Sequence, residues 1–245
     1  DTDAATFTAE MAAIEVATEF QNLDLVTAPV VDETGRLLGQ ITIDDVVDVI
    51  REQADHDILS MAGLDEEDDI FAPVVRSAGR RAIWLGVNLA TAFMAAAVVD
   101  LFKETLQQVV VLAVLMPVVA SMGGIAGTQT LTIMIRGMAL GRVEPSNASL
   151  LFSKEIAVGI LNGFAWAAVV LLITVVFFAD WNVGFVVGMA VAINLFVAAL
   201  AGFAVPVVLR KLNIDPALAG GVILTTVTDV VGFFTFLGLG TLLLL

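Results

Sequence analysis

Asp229 is the residue of this chain whose type and position indicate chemistry most directly. It is the only acidic or basic residue in the apolar stretch 217–245 and lies near the middle of it. A carboxylate at the centre of a bilayer costs at least about 2.5–3.5 kcal/mol on insertion scales. Such groups usually face a water-filled path or a bound cation, and this is our interpretation. The alternative is a protonated aspartate that donates one hydrogen bond to a neighbouring helix.

The neighbours of Asp229 indicate which cation would bind. Thr225, Thr226 and Thr228 offer hydroxyl oxygens, Gly232 follows one turn later, and no soft ligand is nearby. Oxygen ligands suit magnesium, calcium or manganese rather than copper or zinc. One carboxylate cannot cage a divalent ion, but magnesium keeps several of its waters and is commonly held by one or two carboxylates. Two copies of Asp229 in a symmetric dimer would meet that need.

Composition excludes several other chemistries. The chain has no cysteine and one histidine, His56, which rules out thiolate sites, histidine zinc sites and histidine proton relays within it. Residues 1–75 contain 19 of the 26 acidic residues and 2 of the 11 basic ones. Nucleic acid is not an expected partner, because phosphate binding needs lysine and arginine. A multivalent cation fits this acidic segment better.

The rest of the chain has the composition of a multi-pass membrane protein, with 59% hydrophobic residues and a mean hydropathy of +0.96. Five stretches, 83–99, 109–135, 156–179, 183–209 and 217–245, are long enough for spanning helices. Basic residues alternate with acidic ones between them, so the positive-inside rule predicts a cytoplasmic N-terminus and an extracytoplasmic C-terminus in an inner or plasma membrane. The basic positions are Arg76, Arg80, Arg81, Arg136, Arg142, Lys154, Arg210 and Lys211.

The acidic N-terminal part has the pattern of a small α/β unit. Segments 25–31 and 37–43 are predicted strands joined by a turn at 32–36, and a helix capped by Thr42 or Asp44 follows. A further helix is predicted over 9–20. This is too little chain to bury an independent core, and it begins at Asp1 without a methionine, so we expect an upstream part to be missing. The acidic run 65–69 is either a solvated linker or a helix N-terminus.

The second apolar stretch contains an unusual group of residues. Pro117, the adjacent Gly123 and Gly124, then Gly127 with Thr128-Gln129, predict a helix with an irregular backbone bared toward a polar cavity. The glycine spacing alone equally indicates close helix packing. Asn194 and other single asparagines in the stretches are expected to be interhelical hydrogen-bond partners.

These residues resemble the MgtE family of magnesium channels. The stretch 123–129, the five predicted spans, and segment 214–217 leading to 225–229 match its membrane domain, while 32–36 and 43–50 resemble the end of its second cystathionine-β-synthase (CBS) domain. The implied organisation is a membrane all-α fold with a partial cytoplasmic α/β remnant. Residues 1–52 would be the end of the CBS domain, 53–80 a connecting, plug-like amphipathic helix with an acidic linker, and 81–245 a five-helix transmembrane pore domain.

The resemblance implies a homodimeric, magnesium-selective transport protein rather than an enzyme, with a pore between the second and fifth spans. The family's pore aspartate falls on Asp229. Cytosolic magnesium would close the pore through acidic residues that fall on Asp45, Asp48, Glu52, Asp57 and Asp215. The predicted pore lining is Gly123, Gly124, Gly127, Thr128, Gln129, Gly221, Thr225, Thr226, Thr228 and Gly232.

The chain departs from the family at three of its positions. Ile125 stands where many members have asparagine. Gln53 and His56 stand where glutamates are common, and these two departures weaken the regulatory site. Manganese and cobalt remain alternative ions, and nucleotide binding to the CBS remnant stays open. Two other functions are considered, a proton-coupled secondary transporter and a non-conducting membrane sensor. An inverted repeat and a second buried ionisable residue, features of the former, are not apparent in the sequence.

Overall fold

The computed structural model describes residues 5–64, 71–143 and 146–245, and the chain divides into two compact units, Asp1–Ile70 and Phe71–Leu245. The acidic run 65–69 lies outside the described residues. The predicted class, five apolar spans after a small α/β part, is confirmed.

The first unit is a three-stranded sheet covered by two helices. Strand β1 (Phe7–Thr8) pairs in parallel with β2 (Thr27–Val31), which pairs antiparallel with β3 (Leu37–Thr42). Helix α1 (Ala13–Asn22) precedes β2, and α2 (Ile43–Met61) follows β3 directly. The small core contains Phe7, Val16, Ala17, Phe20, Ala28 and Val46. The predicted helix 9–20 starts too early, because the chain turns after β1, with the Met11 amide donating to the Thr8 carbonyl at 3.2 Å, and α1 begins only at Ala13.

Two aspartates fix the local geometry of this unit. Asp32 closes the β2–β3 turn by accepting hydrogen bonds from the Thr34 hydroxyl at 2.6 Å and from the Arg36 amide at 2.9 Å. The Thr34 hydroxyl, followed by the Arg36 amide, holds the pKa of Asp32 below its ordinary value. Thr42 is the N-cap of α2 and forms a capping box with Asp45, as one of the two predicted caps. Hydrogen bonds from the Thr42 amide and hydroxyl lower the pKa of Asp45.

The membrane unit contains five helices long and apolar enough to cross a bilayer, and a short helix that the sequence did not reveal. The long helices are α3 (Val74–Leu101), α5 (Val111–Ala139), α6 (Ala148–Phe178), α7 (Trp181–Lys211) and α8 (Pro216–Leu244). The short helix α4 (Lys103–Gln108) joins α3 to α5. Every span is found near its predicted position, and α3 begins well before the predicted residue 83.

Helix α7 is the centre of the membrane unit, and α5, α6 and α8 pack against it. Small residues make these contacts close. A Cβ at Gly159 of α6 would lie 2.6 Å from the Ala199 Cβ of α7, and one at Gly188 of α7 would lie 3.0 Å from the Ala167 carbonyl of α6. The pairs Gly159/Gly163 of α6 and Gly184/Gly188 of α7, each with glycines four residues apart, are therefore packing contacts. A bilayer supplies little hydrophobic drive between helices, so close van der Waals contact has to hold this unit together.

The irregular backbone predicted for the second span is wrong. Helix α5 is α-helical from Val111 to Ala139, through Pro117 and the glycines. Pro117 lacks an amide hydrogen but does not interrupt the helix, and it lies on the exposed side. Gly124 nevertheless leaves part of the backbone open, since a Cβ there would meet nothing within 4 Å.

We predict that Asp45→Asn speeds amide exchange in the first turn of α2 at neutral pH. The lowered pKa means that the stabilising effect of Asp45 is fully present above the ordinary aspartate range and is lost as pH falls through the folded-state pKa. The difference from the wild type should therefore vanish in acid. Hydrogen–deuterium exchange, normalised to intrinsic rates at each pH, measures it. Asp48→Asn is the matched control, because Asp48 is exposed and caps nothing; equal effects of both variants would contradict the capping role.

Candidate cation site of the membrane unit

Asp229 lies on α8, half-buried, in a helix that otherwise has no ionisable residue. In the part of the chain that the structure describes, its carboxylate forms no hydrogen bond or ion pair. The alternative of a protonated aspartate bonded to a neighbouring helix therefore has no partner within the chain. The carboxylate is left with its full capacity to accept hydrogen bonds.

The threonines beside Asp229 bind their own helix. Thr225 donates to the Gly221 carbonyl at 3.0 Å, Thr226 to the Val222 carbonyl at 2.6 Å, and Thr228 to the Leu224 carbonyl at 3.2 Å. Because each hydroxyl proton is used within the helix, the oxygen lone pairs of the partly exposed Thr225 and Thr226 remain available as acceptors. Oxygen atoms in this state suit the water shell of a hydrated cation, which offers only donors.

The α5 side of the site has a polar, exposed face. Ser121, Gly124 and Thr128 recur at spacings of three and four, which places them on one face of the helix. Thr128 donates to the Gly124 carbonyl at 2.8 Å, in the same manner as the threonines of α8. This face is exposed in the single chain, whereas the opposite face packs on α7 and α8.

Four of the predicted pore-lining residues lie between helices of the same chain. Gly123 and Gly232 both face the Asn194 side chain of α7. A Cβ added at Gly127 would lie 2.8 Å from the Leu224 side chain of α8. Thr228 is fully buried. These four residues have packing roles in the chain. Gly124, Thr128, Gln129, Gly221, Thr225 and Thr226 are the predicted lining residues that remain exposed or partly exposed.

Asn194 joins three helices at this point. Its side chain is completely buried, and its Nδ2 atom donates to the Val119 carbonyl of α5 at 2.9 Å. It occupies the notch left by Gly123 of α5 and Gly232 of α8, which confirms the expected interhelical hydrogen bond. Gly232 is one turn from Asp229, so the position of the carboxylate depends on this contact.

The predicted regulatory acids lie in both units. Asp48 and Glu52 are exposed on α2, and Asp57 accepts a hydrogen bond from Gln53 at 2.8 Å. Asp45 caps α2, and Asp215 caps α8 by accepting from the Ala217 amide at 2.9 Å. Three of the five acids, Asp45, Asp57 and Asp215, therefore already accept hydrogen bonds within the chain. Within residues 5–64, 71–143 and 146–245, no three acidic or histidine side chains are close enough to hold a metal ion together.

The sequence interpretation missed a second buried acid. Glu155 of α6 is only 5% exposed and accepts a hydrogen bond from the Thr130 hydroxyl of α5 at 3.2 Å. The statement that the membrane part has no second buried ionisable residue is therefore wrong. Glu155 follows Lys154 and directly precedes the predicted span 156–179, so the sequence suggests that it belongs to a loop. Its position facing α5 becomes apparent only when the helices are packed.

Five apolar helices with an ionisable group inside one of them define a polytopic membrane protein with a candidate cation site. The chain belongs to the MgtE family: residues 116–239 match the family described as a divalent cation transporter, and residues 1–52 match the CBS domain.

Curated relatives agree with this membership. The chain is 33% identical over 237 residues to a protein of Thermus thermophilus named magnesium transporter MgtE, and this match covers 94% of the chain and 51% of the relative. Proteins of the same name from Bacillus subtilis and Enterococcus faecalis are each 30% identical, over 93% of the chain and 50% of their own length. The chain thus spans about half the length of the curated relatives it matches.

We predict that Gly232→Ala destabilises the membrane unit whereas Gly124→Ala does not. An added Cβ at Gly232 would lie 2.7 Å from the Asn194 Nδ2 atom, and one at Gly124 would meet nothing within 4 Å. Overpacking of this kind costs about 1–3 kcal/mol. The midpoint of thermal unfolding of the purified protein in detergent measures the difference. Equal midpoints for the two variants would show that Asn194 does not fix these helices.

Proposed function

We propose that the chain forms the conducting part of a magnesium channel, in which the Asp229 carboxylate binds the passing cation. The observation that carries this proposal is an ionisable carboxylate in a spanning helix that has no partner within the described chain. Such a group does not stabilise the fold, because leucine or valine would pack there without the free-energy cost of inserting a carboxylate into the bilayer. A role in ion passage accounts for it.

The cation would pass Asp229 with water around it. Neutral threonine oxygens and one carboxylate per chain are too few ligands to replace the water shell of magnesium, which the ion gives up reluctantly. The lone pairs of Thr225, Thr226 and Thr128 would accept hydrogen bonds from these waters. Manganese and cobalt remain alternative cargoes, since they too take oxygen ligands.

A homodimer would complete the pore. The polar α5 face with Gly124 and Thr128, and the Asp229 side of α8, are not covered by other helices of the chain. A second copy placed on these faces would bring two carboxylates to one path. Gln129 and Gly221, both also predicted to line the pore, are exposed and partly exposed respectively.

Gating by cytosolic magnesium is the further part of the proposal. Asp48, Glu52 and Asp57 of α2 are free of capping roles and would supply most of the charge, whereas Asp45 and Asp215 would share their carboxylates with the helix ends. A ligand shifts an equilibrium only by its differential affinity for the two states. The basic residues at alternate helix ends support a cytoplasmic N-terminus and an extracytoplasmic C-terminus.

Glu155 favours a second candidate function, proton-coupled transport of a divalent cation. Chains of acidic residues in spanning helices carry protons in many transporters. Magnesium flux into liposomes at fixed voltage, with and without a pH gradient, separates the two functions. A channel gives the same flux in both conditions, whereas a proton-coupled transporter gives flux that follows the gradient.

Asp229→Asn should reduce magnesium flux by about tenfold or more. It preserves the shape of the side chain but removes a charge whose attraction for a nearby cation is worth about 1–4 kcal/mol in a partly hydrated site. The measurement is magnesium uptake into proteoliposomes that contain the complete protein. Asp100→Asn is the matched control, because Asp100 is an exposed acid at the end of α3, paired only with Lys103 at the surface. Wild-type flux and selectivity in a folded Asp229→Asn protein would contradict the proposal.

A further inference from the structure

Helices α5 and α6 leave a groove between them. Both pack on α7, but among the described residues they approach each other closely at almost no point. The groove has a volume of about 90 Å³ and is floored by Leu195 and Ala199 of α7. Such a volume holds a few water molecules. Asp229 is not among the residues that line the groove, whereas Gln129, also predicted to line the pore, is one of them.

Four polar side chains line the groove, all with oxygen atoms that can accept hydrogen bonds. Gln129 and Thr130 come from α5, and Glu155 and Asn162 come from α6. In the part of the chain that the structure describes, Glu155 is the one ionisable residue in this lining. Carboxylate, amide and hydroxyl oxygens are hard ligands, which suit magnesium, calcium and manganese.

The known partners of Glu155 satisfy its carboxylate only in part. Oε2 accepts one hydrogen bond from Thr130 at 3.2 Å, and Oε1 lies 3.6 Å from the Lys154 Nζ atom. A carboxylate has about four acceptor positions, so two or more remain available. The Glu155 side chain is 6% exposed, whereas that of Lys154 is 63% exposed. The lysine ammonium thus reaches the carboxylate from the solvent side and is free to leave it.

We propose that this groove is a second cation site, in which Glu155 holds a hydrated divalent cation through its waters. Gln129, Thr130 and Asn162 would accept hydrogen bonds from the same waters. Lys154 acts as the counter-ion of the empty site and is displaced when the cation binds. The choice of a divalent ion rests on the proposed function, and the existence of the site rests on the groove and its buried acid.

The test uses local chemistry instead of transport. The chain has no cysteine, so a cysteine introduced at Val158, which lines the groove and is 42% exposed, is unique within this chain. The rate at which a water-soluble thiol reagent modifies it is measured in the complete protein, with any cysteines outside these residues replaced, over a series of magnesium concentrations. We expect magnesium to slow modification at Val158→Cys but not at Ser153→Cys, an exposed position near the start of α6 that does not line the groove.

Variants then assign the protection to Glu155. Glu155→Gln should abolish it, whereas Asp229→Asn should leave it unchanged. Lys154→Gln should lower the magnesium concentration for half-protection by about three- to tenfold, because a competing charge within 4 Å is removed. If Glu155→Gln does not fold, the Lys154→Gln midpoint decides the question. Protection that persists in Glu155→Gln, an unmoved midpoint in Lys154→Gln, or protection that follows pH but not magnesium would overturn the proposal.

Failure of this site and failure of the proposed function are separable. If Asp229→Asn conducts normally while magnesium still protects Val158→Cys, the Asp229 assignment fails and the groove site stands. If Asp229→Asn blocks flux while magnesium gives no protection, only the groove site fails.

Discussion

The contact of Asn194 with Gly123 and Gly232 holds the membrane unit in the form that the site requires. One buried amide on the central helix α7 binds the backbone of α5 and fills a notch between α5 and α8. Its Oδ1 atom has no hydrogen-bond partner among the described residues, and a buried, unpaired acceptor costs about 1–3 kcal/mol. Close packing against two glycines offsets part of that cost. Gly232 is one turn from Asp229, so the same contact holds the part of α8 that carries the carboxylate.

The two acids of the spanning helices have different surroundings, and this difference suggests different roles. Asp229 has no partner in the described chain and stands beside hydroxyls whose protons are already used. Glu155 has a hydroxyl and an ammonium near it, in a groove large enough for water. An ion that binds Asp229 displaces no ion-pair partner among the described residues, as passage requires. An ion that binds Glu155 has to displace Lys154, which would make that site weaker and more dependent on concentration.

The sequence was sufficient to find the five spanning helices and to single out Asp229 as a candidate, because both depend on local composition. Apolar stretches of spanning length and a lone carboxylate within one of them are visible without any tertiary information. The capping box of Thr42 and the β2–β3 turn at Asp32 were likewise predictable, since each lies within a few residues of chain. The short strand β1 was missed because Phe7 is fixed by its distant partners Val30 and Phe20.

The sequence does not show which glycines of α5 pack against other helices and which remain open. Gly123 and Gly127 face other helices while Gly124 faces open space, and this depends on the rotation of α5 against α7 and α8. The same rotation brings Thr130 of α5 to Glu155 of α6. Nothing in the sequence indicates that these two residues are in contact. Periodicity gives the faces of a helix, but it does not say which neighbour each face meets.

Asp229 lines a path for cations only if water reaches position 229. Asp229→Cys, in the complete protein with any other cysteines replaced, is reconstituted in liposomes without magnesium and treated with a membrane-impermeant cationic thiol reagent. The account predicts modification at position 229 and loss of the remaining flux, because the side chain faces an aqueous path for cations. Absence of modification in the folded protein, under conditions in which a cysteine at the exposed Asn182 is fully labelled, would contradict it.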